Sequence, residues 1–320
     1  MRHAMFRSCR QASAGRSVTH SDFSTRLDGR DMSCRPEHLD TFCTAVVEHY
    51  SKHGRDLPWR RTTDAYEILV SEIMLQQTQV ARVLPKYRRF LDAFPTMAEL
   101  AKAPAVDVLS IWQGLGYNRR GLALHRTAQI ITREHGGRVP DSPASLRALP
   151  GIGPATAAAV CVFSYNAPLV FIETNIRAAF IHHFFQDRAD VDDREILPLV
   201  ELTLDRHDPR SWYYALMDYG VWVKRQFSNP SRKSRHHTTQ SPFAGSHREL
   251  RAEVLRALLS AAPRALTAAE AHSSPALSGR EVGDVAATLD ELCSEGFLVR
   301  TGAAYRVTGA GGSESRRENR

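Results

Sequence analysis

The chain has 320 residues, 42% of them hydrophobic, which is enough to bury one large or two modest cores and marks a globular protein. Its 42 Lys and Arg against 35 Asp and Glu leave a net charge of +7, an excess that favours an anionic partner such as nucleic acid without requiring one. No run reaches the ~18 to 20 consecutive apolar residues of a membrane-spanning helix, and the five cysteines (Cys9, Cys34, Cys43, Cys161 and Cys293) include no C-x-x-C pair, which speaks against a zinc ribbon or a disulfide framework.

In chain order, residues 1–36 are rich in Arg and Ser, lack an apolar h-region and read as a disordered tail or the result of a misplaced start codon, with an organellar transit peptide as the alternative. From Pro36 to Leu204 apolar positions recur every three or four residues, predicting helices over 38–50, 64–76, 80–94, 105–113, 120–135, 143–149, 154–165 and 174–186. Pro58, Pro95, Pro104, Gly114, Gly116, Pro140 and Pro150-Gly151 punctuate them. A further helix over 211–222 completes an all-α domain spanning 37–228. Residues 229–245 are polar and basic and read as a linker. Over 246–308, three short helices and a two-stranded hairpin, Phe297–Val299 with Ala304–Val307, outline a winged-helix-like domain. Residues 309–320 read as a disordered tail.

The stretch LPGIGPATAAAV, Leu149 to Val160, has the form of a helix-hairpin-helix motif. Gly151 and Gly153 carry no side chains, so backbone N–H groups at a helix start can approach a DNA phosphate. Ile152 would anchor the turn inward, and Thr156 lies in the first helical turn beyond it. A glycine-rich cap between two packed helices is the alternative reading.

The runs LPWRRTTDAYEILVSEIMLQQTQVARVLPKYRRFLDAFPTMAELAKA (57–103), IWQGLGYNRRGLALHRTAQII (111–131) and GGRVPDSPASLRALPGIGPATAAAV (136–160) together resemble the adenine DNA glycosylases of the MutY type. These belong to the helix-hairpin-helix superfamily that includes endonuclease III, and the resemblance covers residues 38–228. It implies an all-α, two-lobed domain whose catalytic acid is Glu72 and whose Gln77 fills the gap left by an extruded nucleotide. Gln76 and Gln79 read either as part of that insertion or as ordinary amides. Glu72 would donate its proton to a purine N7, its pKa raised in a dry pocket following Ile68, Leu69 and Val70. Glu173 takes the place of the family's second carboxylate, an aspartate in relatives, and would steady the cationic sugar. Asn175, Ile176 and Arg177 keep the pattern around it, and Asn175 is a further DNA-contact candidate.

The same resemblance places Tyr117 at the insertion site, Arg119 and Arg120 toward the DNA backbone, and Trp59 and Arg60 near the base pocket, although Trp59 reads equally well as core. Three departures follow. Ala155 stands where bifunctional members carry a nucleophilic lysine, which implies a monofunctional enzyme. The segment after Arg225 has none of the four cysteines that hold a [4Fe–4S] cluster in relatives, so neither that cluster nor any other cofactor or metal is expected. Its basic side chains, Arg225, Arg232, Lys233, Arg235 and the pair His236-His237, read either as phosphate contacts or as a solvated loop. The C-terminal residues look too short and helical for the family's Nudix-like domain; the third helix carries Glu281, Asp284, Asp290 and Glu291, which argues against close phosphate contact there. The expected activity is removal of adenine opposite 8-oxoguanine or guanine from double-stranded DNA, by a monomer in the cytoplasm at the nucleoid. Removal of thymine, uracil or hypoxanthine, or non-catalytic DNA binding, are the alternatives.

Overall fold

The computed structural model describes residues 36–239 and 241–310. Of the tails expected to be disordered, 1–36 and 309–320, residues 1–35 and 311–320 lie outside the described residues; Pro36 instead opens the first helix, and Gly309 and Ala310 are folded, with Ala310 buried. The described chain divides into two compact units that interleave in sequence, one built from residues 36–65 and 153–239, the other from 66–152 and 241–310.

The first unit contains α1 (Pro36–His53), a 3-10 turn (Pro58–Arg60), and helices that follow the hairpin: α8 (Pro154–Tyr165), α9 (Thr174–Phe184), α10 (Asp193–Thr203) and α11 (Pro209–Gln226). Its core is aromatic. Phe42 of α1 lies 4.9 Å from the Phe180 ring of α9, and Phe163 of α8 stacks on Tyr214 of α11 at 4.4 Å. Helices α9 and α11 cross closely because Gly220 has no side chain; a Cβ there would fall 2.0 Å from the Asn175 carbonyl oxygen. Helix α10, which holds Pro198, is absent from the periodicity reading. Its start is fixed by a capping box in which Asp192 and Glu195 serve each other's backbone N–H groups.

In the second unit lie α2 (Ala65–Leu75), α3 (Val80–Ala93), α4 (Met97–Lys102), α5 (Ala105–Trp112), α6 (Arg119–Glu134) and α7 (Pro143–Arg147). Helix α2 buries residues on every side, from Tyr66, Ile68, Leu69 and Val70 to Ile73 and Met74, as a central helix must. Helix α3 is amphipathic by comparison, with Val83, Tyr87 and Phe90 buried at helical spacing. The short α4 follows Pro95 and is started by Thr96, whose hydroxyl accepts from Glu99 N–H.

The same unit includes α12 (His247–Ala261), β1 (Leu266–Thr267), α13 (Ala268–His272), α14 (Val282–Ser294), β2 (Leu298–Thr301) and β3 (Ala304–Val307). The strands form one antiparallel sheet in the order β1-β3-β2, with Leu298 opposite Val307 and Leu266 opposite Tyr305. The hairpin thus gains a third strand that the sequence does not announce, because two residues are too few to show alternation.

The segment read as a basic linker is folded where it is described. Pro230–Lys233 forms a 3-10 turn with Pro230 and Ser231 buried. Ser234 then bridges Val191, whose N–H donates to the Lys233 carbonyl at 2.9 Å.

Candidate functional site

Glu72 is half-buried on α2 between the buried residues Ser71 and Ile73. The helix ends one turn later at Leu75, and Thr78 N–H closes the turn on the Leu75 carbonyl at 3.2 Å. Gln77 occupies the left-handed position past that helix end with φ 52°, where glycine is the usual residue, and its side chain is exposed. Such a conformation is uncommon for a residue with a side chain. Gln76 has a different task. Its Nε2 donates to the Gly151 carbonyl at 3.3 Å and ties this turn to the hairpin. Gln79 is exposed and precedes α3 without a side-chain cap.

The loop 113–118 is the second unusual turn. Gly114, Gly116 and Tyr117 all have positive φ, at 89°, 74° and 47°, so glycines handle two of the three positions while a tyrosine takes the last. Tyr117 is 39% exposed.

Between these turns lies Arg120, near the start of α6. Its Nη1 donates to the carbonyls of Ile73 (3.0 Å), Met74 (3.1 Å) and Gln76, while Nη2 donates to Thr78 Oγ1 (2.9 Å) and the carbonyls of Leu115 (3.4 Å) and Gly116 (3.1 Å). One guanidinium therefore satisfies the open carbonyls at the C-terminal end of α2 and those of the Tyr117 loop. Burial pulls its pKa down to about 10, which still leaves it charged at neutral pH. Arg120, expected to face the DNA backbone, thus serves as an internal clamp. Arg120→Met should cost about 1–3 kcal/mol by stranding several carbonyls. A urea melt reads this, and a change of only a few tenths would mean that water serves those carbonyls instead.

Arg119 has a partner within the protein as well. It is exposed but paired with Glu295, at 2.8 Å from Nε and 2.5 Å from Nη2. Arg60 is withdrawn further. Its Nη1 and Nη2 each reach an Asp218 carboxylate oxygen at 2.8 Å, its side chain is 7% exposed, and its guanidinium lies 4.5 Å from the Tyr214 ring centroid. Trp59 beside it is buried. The Pro58-Trp59-Arg60 run, expected near the base pocket, thus packs into the first unit, and Arg60 meets a partner 158 positions away in sequence.

In the hairpin, Ile152 is buried as its anchor role requires, and Thr127 Oγ1 donates to the Pro150 carbonyl at 3.0 Å. Gly151 has φ +77° and a Cβ would come 2.9 Å from Ala123 Cβ, so both backbone and packing demand glycine. Gly153 differs: its φ of −84° is ordinary and a Cβ would meet nothing within 4 Å. The protein itself gives no reason for glycine there, whereas close approach by an external group would. Gly153 caps α8 without any side chain, and Gly153, Pro154 and Ala155 at that helix start are exposed.

In the first unit, Glu173 caps α9. Its Oε1 accepts from the N–H groups of Asn175 (2.8 Å) and Ile176 (2.9 Å), and Oε2 accepts from Asn175 Nδ2 (3.0 Å). The side chain, one methylene longer than aspartate, thus folds back over its own helix start, using three of its roughly four acceptor positions. Lys224 Nζ donates to Asn175 Oδ1 at 3.1 Å, so Asn175 is engaged on both sides of its amide. Burial pushes the Glu173 carboxyl up, against the two backbone donors and the charges of Lys224 and Arg177. Nearby, Arg177 is paired with Asp193 at 2.7 Å.

Residues 224–239 offer no thiolate donors, and the ligands an iron–sulfur cluster needs are therefore missing from the donor set. Several of the basic groups there serve neighbours: Arg235 pairs with Asp190 and Asp192, and Lys233 donates to the Gln186 carbonyl at 2.5 Å. Cys43 and Cys161 are buried thiols. Among the described residues no cluster of His, Cys, Asp or Glu has metal-binding geometry, and no helix is long and apolar enough to cross a membrane.

Comparison with known proteins places this geometry. Residues 70–201 match the family model described as HhH-GPD superfamily base excision DNA repair protein. The adenine DNA glycosylase of Mycobacterium tuberculosis is 37% identical over 192 residues, covering 59% of this chain and 62% of that protein. The Mycolicibacterium smegmatis adenine DNA glycosylase is 44% identical over 133 residues, 41% of this chain and 45% of that protein. The chain therefore spans less than two thirds of the length of these relatives. Among solved structures, a thermostable thymine-DNA glycosylase superposes with a TM-score of 0.52 at 23% identity, over 58% of this chain and 87% of the other, which supports the shared fold. Over residues 70–201 the chain is therefore similar to the HhH-GPD superfamily of base excision DNA repair proteins, and its mostly helical scaffold is like that of the thermostable thymine-DNA glycosylase.

Proposed function

We propose that the protein is a monofunctional DNA glycosylase that removes adenine mispaired with 8-oxoguanine or guanine from double-stranded DNA. The observation that carries this reading is the arrangement within the second unit: the helix bearing Glu72 runs directly into the turn presenting Gln77, and Arg120 binds that turn to the loop presenting Tyr117. An acid, a flat amide and an aromatic ring set on one clamp are what extruding and cleaving a nucleotide requires. The similarity to adenine DNA glycosylases supports the choice of base.

In this reading Glu72 donates a proton to the adenine N7, which makes the base a better leaving group, and then takes one from the attacking water. Glu173 steadies the cationic sugar. Ala155 cannot attack the sugar as a lysine would, so the product is an intact strand with an abasic site. The hairpin's open helix start holds a phosphate through backbone N–H groups, which is a use for the side-chain space left at Gly153. No step runs through an iron–sulfur cluster. The enzyme works as a monomer at the nucleoid.

The test is to incubate the full chain with duplexes holding adenine opposite 8-oxoguanine, guanine or thymine, and with thymine, uracil or hypoxanthine mispairs. Alkali then reveals abasic sites. Cleavage of the adenine duplexes with 8-oxoguanine or guanine, and breakage only after alkali, is the expected pattern. Breakage without alkali would contradict monofunctional action, and cleavage confined to another base would move the substrate assignment.

A further inference from the structure

The C-terminal elements share one core with the helices that carry the Tyr117 loop. Ala105 and Leu109 of α5 and Leu122 of α6 are buried in the same cluster as Leu250 and Val254 of α12 and Phe297 before β2. Gly309 records how tightly these parts meet. At this position (φ +81°) a Cβ would come 2.9 Å from the backbone nitrogen of Ala105. Burial of this kind makes a fixed joint, unlike a tethered module with a polar interface.

Polar contacts reinforce it at the loop itself. Glu295, just past α14, accepts from Arg119 and from Arg251 (2.6 Å), and its backbone carbonyl accepts from Arg126 at 3.2 Å. The bonds from Arg119 and Arg251 outweigh burial and hold its carboxyl down to about 2, so the bridge stays charged throughout the neutral range. Arg248, in the first turn of α12, donates Nη1 to the Tyr117 hydroxyl at 3.1 Å. Its Nη2 donates to the Ser241 carbonyl at 2.6 Å and the Ser241 hydroxyl at 3.2 Å. One guanidinium thus joins the entry to the C-terminal domain to the tyrosine that stands at positive φ.

We propose that the C-terminal domain is a built-in positioning element of the Tyr117 loop, with Arg248 fixing the tyrosine hydroxyl and Glu295 fixing Arg119. Arg248 is a positioning residue in this scheme. Its benefit is that the loop is ordered before DNA arrives, which lowers the conformational entropy lost on binding. The value of that ordering to repair rests on the proposed function; the ordering itself does not.

The test uses the full chain in wild-type form and as Arg248→Ala, Arg248→Lys, Tyr117→Phe and the Arg248→Ala, Tyr117→Phe pair. Hydrogen–deuterium exchange over residues 113–120 and affinity for a duplex with adenine opposite 8-oxoguanine are both measured. Arg248→Ala should speed exchange in that loop and weaken duplex binding about fivefold, the worth of one lost hydrogen bond. Arg248→Lys should recover part of both, since it can still donate to the hydroxyl. With Tyr117→Phe already in place, Arg248→Ala should add nothing. Unchanged loop exchange in Arg248→Ala, or losses that multiply in the paired variant, overturns the proposal. If Arg248→Ala does not fold, Tyr117→Phe, which removes one oxygen atom, gives the same exchange comparison. A wild-type protein that releases no base would defeat the functional reading alone, and loop exchange would still decide this one.

Discussion

Replacing Glu72 by Gln is expected to lower the rate of base release by about 10²- to 10⁴-fold under single-turnover conditions, the usual contribution of a positioned acid, while duplex affinity stays within about twofold. Glutamine preserves the shape and the half-buried setting of the side chain on α2 but cannot give up a proton at neutral pH. The variant therefore separates chemistry from recognition. In the proposed function recognition depends on Gln77, Tyr117 and the hairpin, none of which the substitution alters. A structural role for Glu72 would show the reverse pattern, with stability and binding falling together. Retention of more than a tenth of the wild-type rate would remove Glu72 from the catalytic role and leave the protein as a DNA binder on this scaffold.

The parts of the fold that rest on local physics are legible in the sequence. Helical periodicity locates α2, α3, α6 and α8, and the LPGIGP run places the hairpin with Ile152 inward and an open helix start after Gly153. Glu173 as the cap of α9 follows from its position before Thr174. The partners that cannot be read from the sequence are those of arginines. Arg60, Arg119 and Arg120 sit in runs that resemble a DNA-contacting family, yet each is committed within the protein, to Asp218, to Glu295 and to a set of loop carbonyls. A guanidinium is as good a ligand for a buried carboxylate or carbonyl as for a phosphate, so its role is set by partners brought close only by folding. The same applies to Arg248, whose meeting with Tyr117 spans 131 positions of sequence. Strained backbone is likewise invisible before folding: nothing in the letters of Gln77 or Tyr117 marks the positive φ that singles them out.

The largest expected effect on stability is at Asp218. Its carboxylate accepts from Arg55 N–H (2.8 Å), Arg55 Nε (2.6 Å) and both Arg60 terminal nitrogens, and its side chain is 2% exposed. Asp218→Ala would leave the Arg60 guanidinium buried against Tyr214 with no counter-charge, which should cost about 3–5 kcal/mol. Burial alone would raise the Asp218 pKa, but the Arg60 hydrogen bonds and the charges of Arg60 and Arg55 outweigh it and hold the carboxyl below its ordinary value. The folded protein therefore binds this proton less readily than the unfolded chain does. The contribution is fully present above the unfolded-state pKa of about 4 and is lost as pH falls through the lower folded value. Urea melts of both proteins from neutral pH downward should show a gap of several kcal/mol that narrows below about pH 4, as wild type is protonated at the one site the variant lacks. A gap that stays constant to the acid limit would mean that the Ala variant loses packing and not an ion pair, and the account of Pro58-Trp59-Arg60 as a structural staple would fall with it.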